Sequence, residues 1–263
     1  MIARLRAAIA RSGEHNASLL SAGIAYYAFL AMVPLLASVV LGYGLFAGPD
    51  TVARHIDFLA GALPASAAEL IGDQLAEMTS EPSTGLSLGL LASLVLSLIG
   101  ARNAAGSIII ALNVAYGIAE GRSFVRRTLA ALGITALGAA GVGIVAALLA
   151  FTATIGGGAG AIAGYAAMLL AAVGGAAVLY RIAPHRAHPD WRDVLPGAVL
   201  FALGWLAATG AFGMYVANFG NYNATYGSLG AVVVLVTWLY LSAYLLLLGG
   251  EFNAVAQARS ESA

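Results

Sequence analysis

Tyr215-Val-Ala-Asn-Phe-Gly-Asn-Tyr-Asn-Ala-Thr-Tyr-Gly-Ser-Leu-Gly230 is the stretch whose reading decides the fold. It forms the polar, glycine-rich centre of residues 194–250, a segment without a charged side chain. On either side lie two apolar runs, 194–217 and 229–250. A membrane-spanning helix needs about 20 mainly apolar residues to cross roughly 30 Å of hydrocarbon, and each run is long enough. Gly and Asn tolerate positive φ, while Tyr sits well among headgroups. Asn218, Tyr222, Tyr226 and Gly227 therefore suit a turn at the lipid–water boundary. The segment reads as a transmembrane hairpin.

The composition agrees. Of 263 residues, 61% are hydrophobic and only 9% charged, against about 25% charged in an ordinary soluble domain. Mean hydropathy is +0.90. A soluble fold of this length could not hide so much apolar surface, so the expected class is an all-α polytopic membrane protein in one transmembrane domain. The basic set is twelve arginines and no lysine, balanced by twelve acidic residues. With no cysteine in the chain, disulfides and thiolate chemistry are excluded.

Residues 1–16 carry Arg4, Arg6 and Arg11 on a short amphipathic stretch. The uncharged run that follows, 15–49, exceeds the 7–15-residue core of a secretory signal, so it reads as a retained first span, about 19–46. Residues 48–82 differ in kind, with Asp50, Asp57, Glu69, Asp73, Glu77 and Glu81 against Arg54 alone. Ile56, Leu59 and Leu63, then Leu70, Ile71, Leu75 and Met78, recur at helical spacing and predict two short amphipathic helices broken near Pro64. Further spans are expected at about 84–111, 128–152, 161–181, 194–217 and 228–250, with Gly156-Gly-Gly-Ala-Gly160 as a tight turn. At Arg102 the second span either continues with a charge inside or leaves the membrane near Gly100. That makes six spans.

Orientation follows from the arginines. Three precede span one, three lie in 117–127, three in 181–193 and one in the tail, whereas the opposite loops hold only Arg54. Basic residues stay on the cytoplasmic side. Both termini are expected there, and the acidic segment outside.

Several stretches resemble the YihY/virulence factor BrkB family of bacterial inner-membrane proteins. They are Ala25-Tyr-Tyr-Ala-Phe-Leu-Ala-Met-Val-Pro-Leu-Leu36; Ala111-Leu-Asn-Val-Ala-Tyr-Gly117 with Arg122-Ser-Phe124 and Arg126-Arg127; Trp191-Arg-Asp-Val-Leu-Pro-Gly197; Tyr215-Val-Ala-Asn218; Tyr226-Gly-Ser-Leu-Gly230; Trp238-Leu-Tyr-Leu-Ser242; and Gly250-Glu-Phe-Asn253. The resemblance implies six helices in the inner membrane. It also implies a transporter or flippase of a lipid-type substrate, alongside an older family label, ribonuclease BN.

The candidate functional residues are few. Arg102 and Asn113 share one helical face, with Asn103 on a neighbouring stripe, and together would line a route for an anionic headgroup, Arg giving phosphate a two-pronged contact. Alternatively, Arg102 snorkels to the membrane surface. Pro34 with Tyr26 and Tyr27 reads either as a hinge beside a substrate-facing aromatic pair or as a packing kink with interfacial anchors. Glu251, at the expected end of the last helix, calls for an arginine partner among Arg122, Arg126, Arg127 and Arg181, or else serves as a proton-coupling acid. His185, His188, Asp190 and Asp193 lack fixed ligand spacing, and a basic loop against anionic lipid explains their surroundings more simply. No metal, cofactor or nucleic-acid partner is expected. A nuclease would need its carboxylates on the cytoplasmic side, which sets the ribonuclease label aside. Two readings remain: a transporter or flippase of a lipid-like or amphipathic substrate, with membrane lipids as partners, and an envelope scaffold that docks a protein through residues 48–82.

Overall fold

The computed structural model describes residues 1–46, 83–186, 189–218 and 228–261. Every regular element among them is helical: α1 (Ile2–Glu14), α2 (Ala17–Phe46), α3 (Ser83–Ala115), α4 (Phe124–Ile155), α5 (Gly157–Ile182), α6 (Trp191–Asn218) and α7 (Ser228–Glu261). Stretches of α3 to α7 are long and apolar enough to cross a membrane: Leu88–Ala115, Phe124–Thr152, Gly157–Ile182, Trp191–Tyr215 and Val232–Ala258. A shorter apolar helix, Ala17–Met32, lies within α2. These helices expose Leu91, Leu137, Val142, Ile162 and Leu170 rather than gathering apolar residues on one side. Apolar surface on every face is what a hydrocarbon solvent allows and water does not.

Local chemistry sets the boundaries. Asn16 takes a left-handed conformation, φ 52°, between α1 and α2, which Asn tolerates better than most residues. Gly156 and Gly157, at φ 69° and 57°, separate α4 from α5, as the glycine run predicts. Across Gly100 and Arg102 α3 is unbroken, so the helix continues with the charge inside it. The last helix extends to Glu261. Glu251 is therefore an interior residue of α7, not the terminal misfit expected.

The chain divides into two compact units, Met1–Phe29 with Ala101–Ala263, and Leu30–Gly100. In the smaller, a Cβ added at Gly100 would lie 2.8 Å from the Ala31 Cα, so glycine lets α2 and α3 meet backbone to backbone. Nearby, the Ser38 hydroxyl is 2.8 Å from the Pro34 carbonyl and 2.9 Å from Ser93 Oγ. In the larger, Ile109, Leu112, Tyr180, Val194, Ala198 and Leu247 are fully buried and make the core. The acidic segment 48–82, His188, and Tyr222, Tyr226 and Gly227 of the hairpin turn lie outside the described residues. Asn218 is the last residue of α6.

Candidate functional site

Two places in the larger unit stand out, a polar knot and an apolar cleft. The first is a knot that joins α1, the end of α3, the end of α5, the start of α6 and α7. Glu251 is its centre, with a side chain only 1% exposed. It accepts a hydrogen bond from Arg11 Nε at 3.0 Å and faces His15 Nδ1 at 2.5 Å. Arg11 also donates from Nη2 to the Ala115 carbonyl, 3.1 Å away, at the end of α3. Two turns farther up α1, Arg4 donates to the Phe252 carbonyl at 2.8 Å and covers the Phe252 ring at 3.9 Å. These contacts strap an amphipathic helix, with Ala8 and Ser12 inward, across the C-terminal third of α7. A buried carboxylate would be costly alone; here two cationic-capable groups share it.

Asn253, two residues on, binds α6. Its Oδ1 accepts from the Gly197 amide at 2.7 Å, and its Nδ2 donates to the Val194 carbonyl at 3.0 Å and the Tyr116 hydroxyl at 3.4 Å. Burial pushes the Tyr116 phenol up from its ordinary value, since a phenolate there would lose its hydration. Arg186 stacks 3.9 Å over the Tyr116 ring and donates to Gln257 Oε1 at 2.6 Å. Tyr180, fully buried in α5, donates to the Leu246 carbonyl at 2.7 Å.

The loops close over this arrangement. Asn113 donates to Glu120 at 2.8 Å and accepts from the His185 amide at 2.8 Å. Arg122 donates to the Ala183 and Pro184 carbonyls at 3.0 Å each and lies 3.7 Å from Glu120. A guanidinium placed over the free carbonyls after α5 is a favourable C-terminal cap. His185 accepts the Gly121 amide on Nδ1 at 3.1 Å, so this histidine serves loop closure. Among the described residues no three His, Asp or Glu side chains gather as metal ligands.

The second place is an open cleft of about 270 Å³ between α2 and α7, lined by Ala22, Ala25, Tyr26, Phe29, Val236, Thr237 and Tyr240. Its walls are apolar, with the Tyr26, Thr237 and Tyr240 hydroxyls as polar points. Tyr240 meets Ser18 at 3.0 Å. Tyr26 and Tyr27 stand edge to face with ring centres 5.4 Å apart.

The sequence-based candidates are thus separated. Tyr26 reaches the cleft. Pro34 lies farther along α2, in the other unit. Asn113 belongs to the knot, whereas Arg102 donates to Asn103 Oδ1 at 2.9 Å and Thr128 Oγ1 at 2.8 Å. The shared helical stripe does not make Arg102 and Asn113 one site. The partner of Glu251 is Arg11, with His15, and not Arg122, Arg126, Arg127 or Arg181. Arg126 is exposed at the start of α4 with Arg127 beside it, and Arg122 holds the α5 carbonyls. Tyr116, Tyr180, Arg186 and Asn253 also build the knot, and nothing in the local sequence assigns the first three a role. Asn253, one of two fully buried polar residues in Gly-Glu-Phe-Asn, had a signal: an amide beside a carboxylate in an otherwise apolar helix.

Comparison with known proteins agrees with this architecture. A Bacillus subtilis protein named as ribonuclease-like, YfkH, is 32% identical over 98% of this chain and 96% of its own length. UPF0761 membrane proteins of Tolumonas auensis and Alkalilimnicola ehrlichii are 42% and 44% identical, over 29% and 28% of this chain and 25% and 17% of theirs. No solved structure matches. The family model for virulence factor BrkB matches residues 8–263, which take in the Arg11–Glu251 strap, the Asn253 clamp and the cleft, and the chain belongs to that family.

Proposed function

We propose that this protein is a multi-pass protein of the bacterial inner membrane that moves a lipid-like, amphipathic molecule between leaflets. The observation that carries the reading is the cleft between α2 and α7. A groove with apolar walls and three hydroxyls, set between helices of a membrane protein, suits a molecule with an acyl body and a polar head. The knot supports it from one end, because it fixes α7 against α1, α3 and α6 while leaving the cleft free of its side chains. Positive-inside bias supports a cytoplasmic side for the knot and both termini, with α2 taken as the first of six spans. In this arrangement substrate enters laterally from the bilayer and its headgroup slides past Tyr26, Thr237 and Tyr240.

Photocrosslinking tests the route. A benzophenone amino acid at Thr237 is expected to capture phospholipid in native membranes with a headgroup preference, and added substrate competes it away. The same group at Leu170, exposed elsewhere in α5, captures bulk lipid without preference. Equal, uncompeted capture at both positions would remove the cleft as a substrate route.

A further inference from the structure

Two charged side chains sit well inside the apolar spans, and they are treated differently. Glu251 is the only charge in Val232–Ala258 and has Arg11 and His15 against it. Arg102 is the only charge in Leu88–Ala115, and its contacts among the described residues are neutral: Asn103 Oδ1, Thr128 Oγ1 and the face of Phe124 at 5.8 Å. Among the described residues no carboxylate lies within ion-pair distance of it. The guanidinium is half-buried. Its surroundings add positive charge: Thr128 and Phe124 belong to the first turns of α4, which also carry Arg126 and Arg127 and no acid. Clustered like charges without a counter-charge raise the energy of the folded chain, most of all where water is scarce. An anion relieves that cost.

We infer that Arg102, Thr128 and Phe124 form a binding site for a phosphate-bearing anion, supplied by an acidic phospholipid headgroup. Asn103 and Thr128 each hold one arm of the guanidinium, which fixes its plane and leaves its remaining N–H groups for phosphate oxygens. The fork matches phosphate geometry, which an ammonium does not. Phe124, 71% exposed, offers apolar surface beside the headgroup for the glycerol and first methylenes of a lipid. The hydroxyl of Thr128 both accepts from Arg102 and retains a donor for phosphate. This site is distinct from the cleft, and occupancy does not depend on transport.

Thermal unfolding of purified protein in neutral detergent tests it, with phosphatidylglycerol, phosphatidylcholine or inorganic phosphate added. Phosphatidylglycerol is expected to raise the Tm, phosphatidylcholine to do so far less, and Arg102→Gln to weaken the apparent phosphatidylglycerol affinity by about tenfold or more, the scale of a lost charge-assisted pair. Arg102→Lys keeps part of the effect. An equal response to inorganic phosphate would assign the anion to solution and overturn the lipid source. The double variant Arg126→Gln/Arg127→Gln controls for general electrostatic attraction; if it loses as much as Arg102→Gln, the site is overturned. Should Arg102→Gln not fold, Thr128→Val read by lipid retention in native mass spectrometry serves instead, and unchanged phosphatidylglycerol retention contradicts the proposal. Because the readout is binding, it can fail while leaflet-to-leaflet movement succeeds, and the reverse.

Discussion

Gly197 and Gly249 bring α6 and α7 so close that neither position has room for a methyl group. A Cβ on Gly197 would collide with the Gly249 carbonyl oxygen, and one on Gly249 with the Tyr180 hydroxyl. Gly197→Ala is therefore expected to cost about 1–3 kcal/mol by forcing the helices apart, seen as a lower Tm in detergent. Gly210→Ala, which meets open space, is close to neutral. Glu251→Gln removes the charge that holds Arg11 and His15, at about 1–3 kcal/mol. Combined with Arg11→Gln, the losses should be less than additive, because the first substitution already breaks the shared contact; full additivity in the double-mutant cycle would show that the pair is not coupled. The need of Glu251 for a cation was legible from charge alone. Its identity was not, since nothing local in the sequence says that residue 11 lies across residue 251. Arginines nearer the expected helix ends were the wrong choice, because they cap carbonyls, as Arg122 does, or face outward, as Arg126 does.

Helix α1 shows what an element adds. Its arginines were readable as orientation signals, but two of them, Arg4 and Arg11, are also structural, donating to α3 and α7. Ala8, fully buried against Phe252 and Val255, leaves no space for a larger residue. Ala8→Trp is expected to lever α1 away and speed tryptic cleavage after Arg11, whereas Ile9→Trp on the exposed face leaves the cleavage rate near wild type. Equal rates would contradict a docked α1. Between α6 and α7, Trp205 donates to Ser242 at 3.0 Å and Trp238 to Thr209 at 3.3 Å, which gives both part-buried indoles a partner. The apolar runs of α3 to α7 were legible because a span is a count of residues. The pairing of α6 with α7 through hydroxyls and glycines was not, since small residues alone do not say which neighbour they face.

At the scale of the molecule, charge asymmetry predicts sidedness. In this cysteine-free chain, Ala119→Cys between α3 and α4 should stay unlabelled by an impermeant thiol reagent outside intact cells, while Ala159→Cys at the start of α5 should react. The opposite pattern would invert the topology. Amphipathic lipid is proposed to move along the α2–α7 cleft. That movement is tested most directly by fluorescent phospholipid in vesicles containing the purified protein, scored by dithionite bleaching. Inner-leaflet lipid is expected to reach the outer face faster than in protein-free vesicles, with Ala22→Trp, at an exposed position of the cleft wall, slowing it at least several-fold at unchanged Tm. Lipid movement equal to protein-free vesicles, with and without an ion gradient, would contradict it.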